Sequence, residues 1–161
     1  LELSALLALR GAVRVLDGGN SYNALYVART IRRHTAKLDE TLNQITVARA
    51  FTCYQLITLL EETADSPHPT LVLDLLSTFY DESVRVPEAF RLLQLVVGHL
   101  HRLRRFAPVL VSLRPSPLHQ PDRAGFTQPL AAIADLLLVH PPEETATSAS
   151  SVQAVCQLTL F

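Results

Sequence analysis

The apolar positions fall into short runs that alternate between a helical and a strand-like period. Leu3 to Leu9 is apolar enough for a buried helix, and Gly11 follows it in the position where glycine commonly ends one. Ala12 to Leu16 then reads as a strand ending at Asp17 and the turn Gly18-Gly19-Asn20. Ser21 is placed to cap a helix that carries Leu25, Ala28 and Ile31 inward and Arg29 and Arg33 outward. Ile45 to Ala48 is a short strand, and the helix after it, about 52–62, sets Leu56, Leu59 and Leu60 on one side.

The second half continues the alternation. Ser66-Pro67-His68-Pro69 is a linker, and Thr70 to Leu76 is a nearly unbroken apolar run of the kind that suits a parallel strand covered on both faces. Pro87 opens the longest helix, where a missing N–H costs little. Phe90, Leu93, Val97 and Leu100 are its apolar positions, with Arg91, Gln94, Arg102 and Arg105 toward the other side. Val109 to Leu113 is a strand, and proline-rich Arg114 to Phe126 has no periodicity and reads as a loop. A short helix over 130–135, a strand over 136–140 and a polar loop over 141–151 follow. Val152 to Leu160 alternates cleanly, as expected for a strand at the more exposed end of the sheet. Strands alternating with helices predict one α/β domain over residues 1–161, a mainly parallel, doubly wound sheet with helices on both faces.

Composition narrows the partners. The 161 residues suit a single domain, and with 48% apolar and 18% charged residues the chain is expected to be soluble with a large core. A formal net charge of −1 argues against contact with nucleic acid by bulk charge. Thirteen of the fourteen basic residues are arginines and only Lys37 is a lysine. Cys53 and Cys156 stand apart from each other and from any histidine at ligand spacing, so two buried thiols in a reducing cytosol are expected over a disulfide. No apolar run approaches the ~18 residues of a membrane span, and a cytoplasmic location is expected.

Order and spacing carry a family resemblance. Val15-Leu16-Asp17-Gly18-Gly19-Asn20 before a helix is similar to the second core strand of recombinases of the RecA and RadA type. Ile45-Thr46-Val47-Ala48-Arg49-Ala50-Phe51 resembles the "VARAF" segment of the archaeal and eukaryotic branch, and a Gln55-Leu56 helix follows it as in that branch. Thr70-Leu71-Val72-Leu73-Asp74 looks like a Walker B strand continued by Ser77-Thr78-Phe79-Tyr80, and Ala132 to Leu138 resembles the late helix and strand of the core. The resemblance covers almost the whole chain and implies a P-loop NTPase core of the RecA-like kind, with Asp74, Asp17 and Ser112 as the vestige of a nucleotide and Mg²⁺ site.

The departures point away from catalysis. Family members hold phosphate with G-x-x-x-x-G-K-[ST], and none of the five glycines here stands in that setting. The matching loop would precede the Leu3 helix, beyond Leu1. The chain starts at Leu1 and contains no methionine, so the native start is expected to be trimmed or missing. ATP and Mg²⁺ are therefore expected as cofactors only if such a loop exists upstream. Where the family carries its water-activating glutamate, this chain has Gly18 or Gly19, and the polar sensor of the fourth strand has no clear equivalent near Ser112-Leu113-Arg114.

Two loops match the family's DNA-binding loops in position. They offer Arg85, Arg114, His119 and Arg123 against Asp81, Glu82 and Asp122, a near balance that predicts at most weak, salt-dependent DNA binding. Arg102, Arg104 and Arg105 with His99 and His101 read as a solvated helix end, as do Arg29, Arg32 and Arg33; the two histidines are a poor metal pair, and no metal is expected. Ser4, Ser77 and Ser112 lack a G-x-S-x-G setting, and Glu61-Glu62 and Glu143-Glu144 read as surface. The expectation is a RecA-like domain without hydrolysis, an interaction, assembly or regulatory module with a protein partner or a second copy of itself, linked to DNA recombination or repair. Its alternatives are a working repair ATPase with its phosphate loop upstream, and a nucleic-acid-binding domain that acts without ATP.

Overall fold

The computed structural model describes residues 1–140 and 155–160. It is an α/β fold whose sheet runs in the order β2-β1-β3-β4-β6-β5. The strands are β1 (Val13–Asp17), β2 (Ile45–Arg49), β3 (Thr70–Leu73), β4 (Val109–Leu113), β5 (Leu136–His140) and β6 (Val155–Leu160). The first four are mutually parallel, with Val15 beside Val47 and Leu71, and Leu71 beside Leu110. The helices are α1 (Glu2–Ala8), α2 (Ala24–Arg32), α3 (Leu38–Leu42), α4 (Cys53–Glu62), α5 (Val86–Leu103) and α6 (Thr127–Ile133). This arrangement is compatible with the Rossmann-like α/β class.

Strand alternation divides the core between the two faces. Leu16, Val72, Val109, Val111 and Leu113 point to one face and pack with α4 and α5 through Leu56, Leu60, Leu93, Val96 and Leu100. Val13, Val15, Leu71 and Leu73 point to the other and meet Ala8 of α1. Ala5, Val27 and Ile31 join α1 to α2 beyond them. On this second face the helices cover β1 and β3, while Leu110 of β4 packs only at the margin.

Several expectations need correction. Asn23, not Ser21, caps α2, its Oδ1 accepting from the Tyr26 N–H at 3.0 Å. The later start rotates the helix, so Val27, Thr30 and Ile31 are buried and Leu25 is 72% exposed. The apolar run from Thr70 leaves the sheet at Leu73, because Asp74 turns into the left-handed region (φ 51°) and residues 75–80 wind into a 3₁₀ turn that buries Leu75, Leu76 and Phe79. Residues 121–126 also form a 3₁₀ turn within the expected loop, and α3 was not apparent from the apolar pattern. β6 is not at the end of the sheet: it inserts between β4 and β5, antiparallel to both, and β5 becomes the edge. The polar loop read over 141–151, and the first residues of the last alternating segment, lie outside the described residues.

Candidate functional site

The chain leaves β1 for β2 on one side and crosses to β3 on the other, so the direction of the sheet reverses between β1 and β3. Open α/β sheets bind ligands beyond the carboxyl ends of the strands at such a point. Asp17 ends β1, Asp74 follows β3, and Ser112 lies one residue before the end of β4. The three residues therefore sit at the same end of neighbouring strands, and Ser112 Oγ accepts the Asp74 backbone N–H at 2.8 Å.

The two aspartates differ in what they have already spent. Asp17 is fully buried and its oxygens are occupied. Oδ1 accepts the Ser21 N–H at 2.9 Å, and Oδ2 accepts the Tyr22 N–H at 3.0 Å and Arg49 Nε at 3.0 Å. It therefore fixes the turn after β1 and ties it to β2. Asp74 is 4% exposed, and neither carboxylate oxygen has a hydrogen-bond donor. Its one close charge is Arg114, with Nε 3.0 Å from Oδ2 but outside hydrogen-bond geometry. Burial pushes the Asp74 carboxyl above the usual range, Arg114 opposes the rise, and Asp17 adds to it.

The glycine pair is explained by this carboxylate. A Cβ at Gly19 would collide with the Asp74 side chain, whose Cγ would lie 2.6 Å away. Gly18 donates its N–H to the Leu73 carbonyl at 2.9 Å, and its Cβ would press on the Asp74 carbonyl at 3.3 Å. Asn20 completes the turn with φ 52°. The chain folds over Asp74 so closely that residue 19 has room for hydrogen only.

The two loops read as DNA-binding meet each other, Gln120 donating from its side-chain amide to Glu82 Oε1 at 3.0 Å. Arg85 and His119 are exposed, and Arg114 is half-exposed over Asp74. Arg123 is a correction: it is 4% exposed, donating to the Phe79 carbonyl at 2.5 Å and the Val84 carbonyl at 2.6 Å. Its guanidinium lies 5.8 Å from the centroid of the Phe126 ring, which meets Phe90 edge-on at 4.7 Å. The guanidinium is thus held inward by two main-chain carbonyls rather than turned to solvent. The expected solvated helix end is likewise partly absorbed by structure. Arg102 donates to the Leu60 and Thr63 carbonyls at 2.8 and 3.0 Å and pairs with Asp65, while Arg104 donates to the Ile133 carbonyl and pairs with Asp135 at 3.0 Å.

Two openings flank Asp74. One, of about 270 Å³, is lined by Leu71, Leu73, Asp74, Leu110, Ser112 and Arg114. The other, of about 370 Å³, lies over Gly18, Gly19, Phe51, Thr78 and Tyr80. Thr78 Oγ1 is buried without a partner, and Tyr80 donates its hydroxyl to the Arg114 carbonyl at 2.9 Å. Sequence reasoning quoted Arg49, Thr78 and Tyr80 in family segments but gave them no place in the site; strand pairing brings Arg49 to Asp17, and the 3₁₀ turn after Asp74 carries Thr78 and Tyr80. Among the described residues no group of three or more His, Cys, Asp or Glu could hold a metal ion, and no helix is long and apolar enough to cross a membrane. No family model matches the chain, and no curated protein matches it.

Proposed function

We propose that this chain is a RecA-like domain that does not hydrolyse ATP and serves as an interaction or assembly module, linked to DNA recombination or repair. The observation that carries this reading is the closure of Gly19 over Asp74. The family resemblance puts a water-activating glutamate at Gly18 or Gly19, and the collision that a Cβ at Gly19 would make leaves no room for a side chain there. Asp17 is consumed by its turn and by Arg49, and Asp74 faces an arginine. A catalytic base must reach a water in the open, and losing one slows a reaction by ~10²–10⁴.

An assembly role rests on the opposite edge. Among the described residues β2 ends the sheet with its outer side unpaired, and Arg49 is its one charged residue. Such an edge is a ready template for another chain. Leu25, Tyr26, Val47, Phe51 and Tyr54, on β2 and on the segments before and after it, are all at least 40% exposed. RecA-family cores assemble edge to edge, and an interface role of that kind can survive the loss of catalysis. Sedimentation velocity over a concentration series is the test. Self-association is expected in the wild type and should be lost in Val47→Glu. A monomer at all concentrations, or association that Val47→Glu leaves intact, would contradict the assembly role.

A further inference from the structure

Asp74 is an unusual group to find beside an apolar cavity. Its carboxylate is nearly fully buried, neither oxygen accepts a hydrogen bond, and a buried carboxylate without donors is costly. The neighbouring cavity of about 270 Å³ is several times the ~30 Å³ that a water takes in the liquid. Leu71, Leu73 and Leu110 form its walls, on the face of the sheet where the helices stop short of β4. Ser112 and Arg114 share its polar end with Asp74.

We infer that Asp74 and this leucine-walled cavity form a site for an organic cation on an aliphatic stem, a primary ammonium or guanidinium, and that Arg114 is the chain's own occupant, displaced by the ligand. The walls select the stem and the carboxylate selects the head. A hard metal ion is a poor fit, since Mg²⁺ and Ca²⁺ require six or more oxygens. Asp17 has none to spare, the Ser112 hydroxyl already serves the Asp74 N–H, the Ser21 hydroxyl is turned to Asp17 at 3.4 Å, and apart from Arg114 the rest of the lining is leucine. Arg114 is a weakly held occupant. Its side chain is 53% exposed and makes an ion pair with Asp74 without a hydrogen bond, so an aligned donor that also buries a stem would gain on both counts.

The same head group could arrive as a free small molecule or as a lysine side chain of another protein. Titrations of the ¹⁵N-labelled 161-residue chain, followed by amide shifts, distinguish them with n-pentylammonium and Nα-acetyl-lysine methylamide as probes. Saturable shifts at Leu73, Asp74, Leu110 and Ser112 are expected with at least one probe, and the tighter of the two identifies the source. Asp74→Asn should weaken binding by about tenfold, as should replacing the ammonium by n-pentanol. Arg114→Gln, which removes the competing cation, should strengthen it. Dispersed spectra of both variants would show that they remain folded. Absence of saturable shifts with both probes would overturn the site. Equal binding of n-pentanol would reduce it to a greasy cavity, saturation by Mg²⁺ alone would make it a metal site, and weaker binding by Arg114→Gln would overturn displacement.

Discussion

Asp74 shows how one residue can dictate the identity of another far away in sequence. Its left-handed backbone and buried side chain fill the space above Gly19, so the glycine is required by contact. Gly19→Ala is expected to destabilise the fold by about 1–3 kcal/mol through overpacking. Asp74→Gly, which suits φ 51° and removes the obstructing side chain, should restore most of that loss in the double variant. Urea melts of the four proteins in the cycle measure the coupling, and additive effects would contradict the contact. The pH dependence follows from the same burial. The folded state raises the Asp74 pKa, so it keeps a proton that the unfolded chain releases at lower pH. The stability this contributes is fully present below the unfolded value, about 3.9, and is lost as pH rises through the folded value. Wild-type stability should therefore fall more steeply with rising pH above about 4 than that of Asp74→Asn. Parallel profiles would contradict it. The sequence displayed both aspartates and both glycines, but their pairing depends on strand order, which no local pattern encodes.

Helix and strand identities were largely legible where apolar spacing was clean, and the errors fell where polar residues decide the boundary. Two candidate caps lie within three residues of each other in Ser21-Tyr22-Asn23. Asp17 takes the Ser21 and Tyr22 N–H groups, so the helix begins after Asn23 and Leu25 turns outward. At the other boundary, Thr70 to Leu76 is apolar apart from Thr70 and Asp74, and the leucines that continue past Asp74 hide that this aspartate bends the chain out of the sheet. Arg102 and Arg104 at the end of α5 looked solvated because their partners lie 29 to 42 residues away. Arg102 reaches three carbonyls at the end of α4 (Leu60, Glu61 and Thr63), satisfying groups that a helix terminus leaves open. Arg102→Ala should cost about 1–3 kcal/mol, since hydrogen bonds to a charged donor are the stronger kind. Arg105→Ala, at an exposed site in the turn just past α5, should change little. Equal effects in thermal melts would return Arg102 to the solvated surface.

At the scale of the molecule, the alternating strands and helices predicted a doubly wound sheet, and the four parallel strands have that form. What the pattern could not give was the place of the last strand. Alternation in Val152 to Leu160 suggested exposure at the end of the sheet, whereas β6 pairs on both sides. Strand order is settled by which edges remain open, a property of the assembled sheet. The functional reading has the same structure: Asp17, Asp74 and Ser112 were visible singly, and their arrangement at one end of the sheet is what gives them meaning together. In that arrangement Asp17 holds a turn, Asp74 excludes a side chain at residue 19, and an arginine faces the carboxylate. We propose on these grounds that the 161-residue chain neither hydrolyses ATP nor binds it tightly. Calorimetry with Mg-ATP, run beside a phosphate-release assay, tests it most directly. No measurable heat of binding at micromolar nucleotide and no phosphate release above background are expected. Micromolar binding, or turnover that disappears in Asp74→Ala, would contradict it.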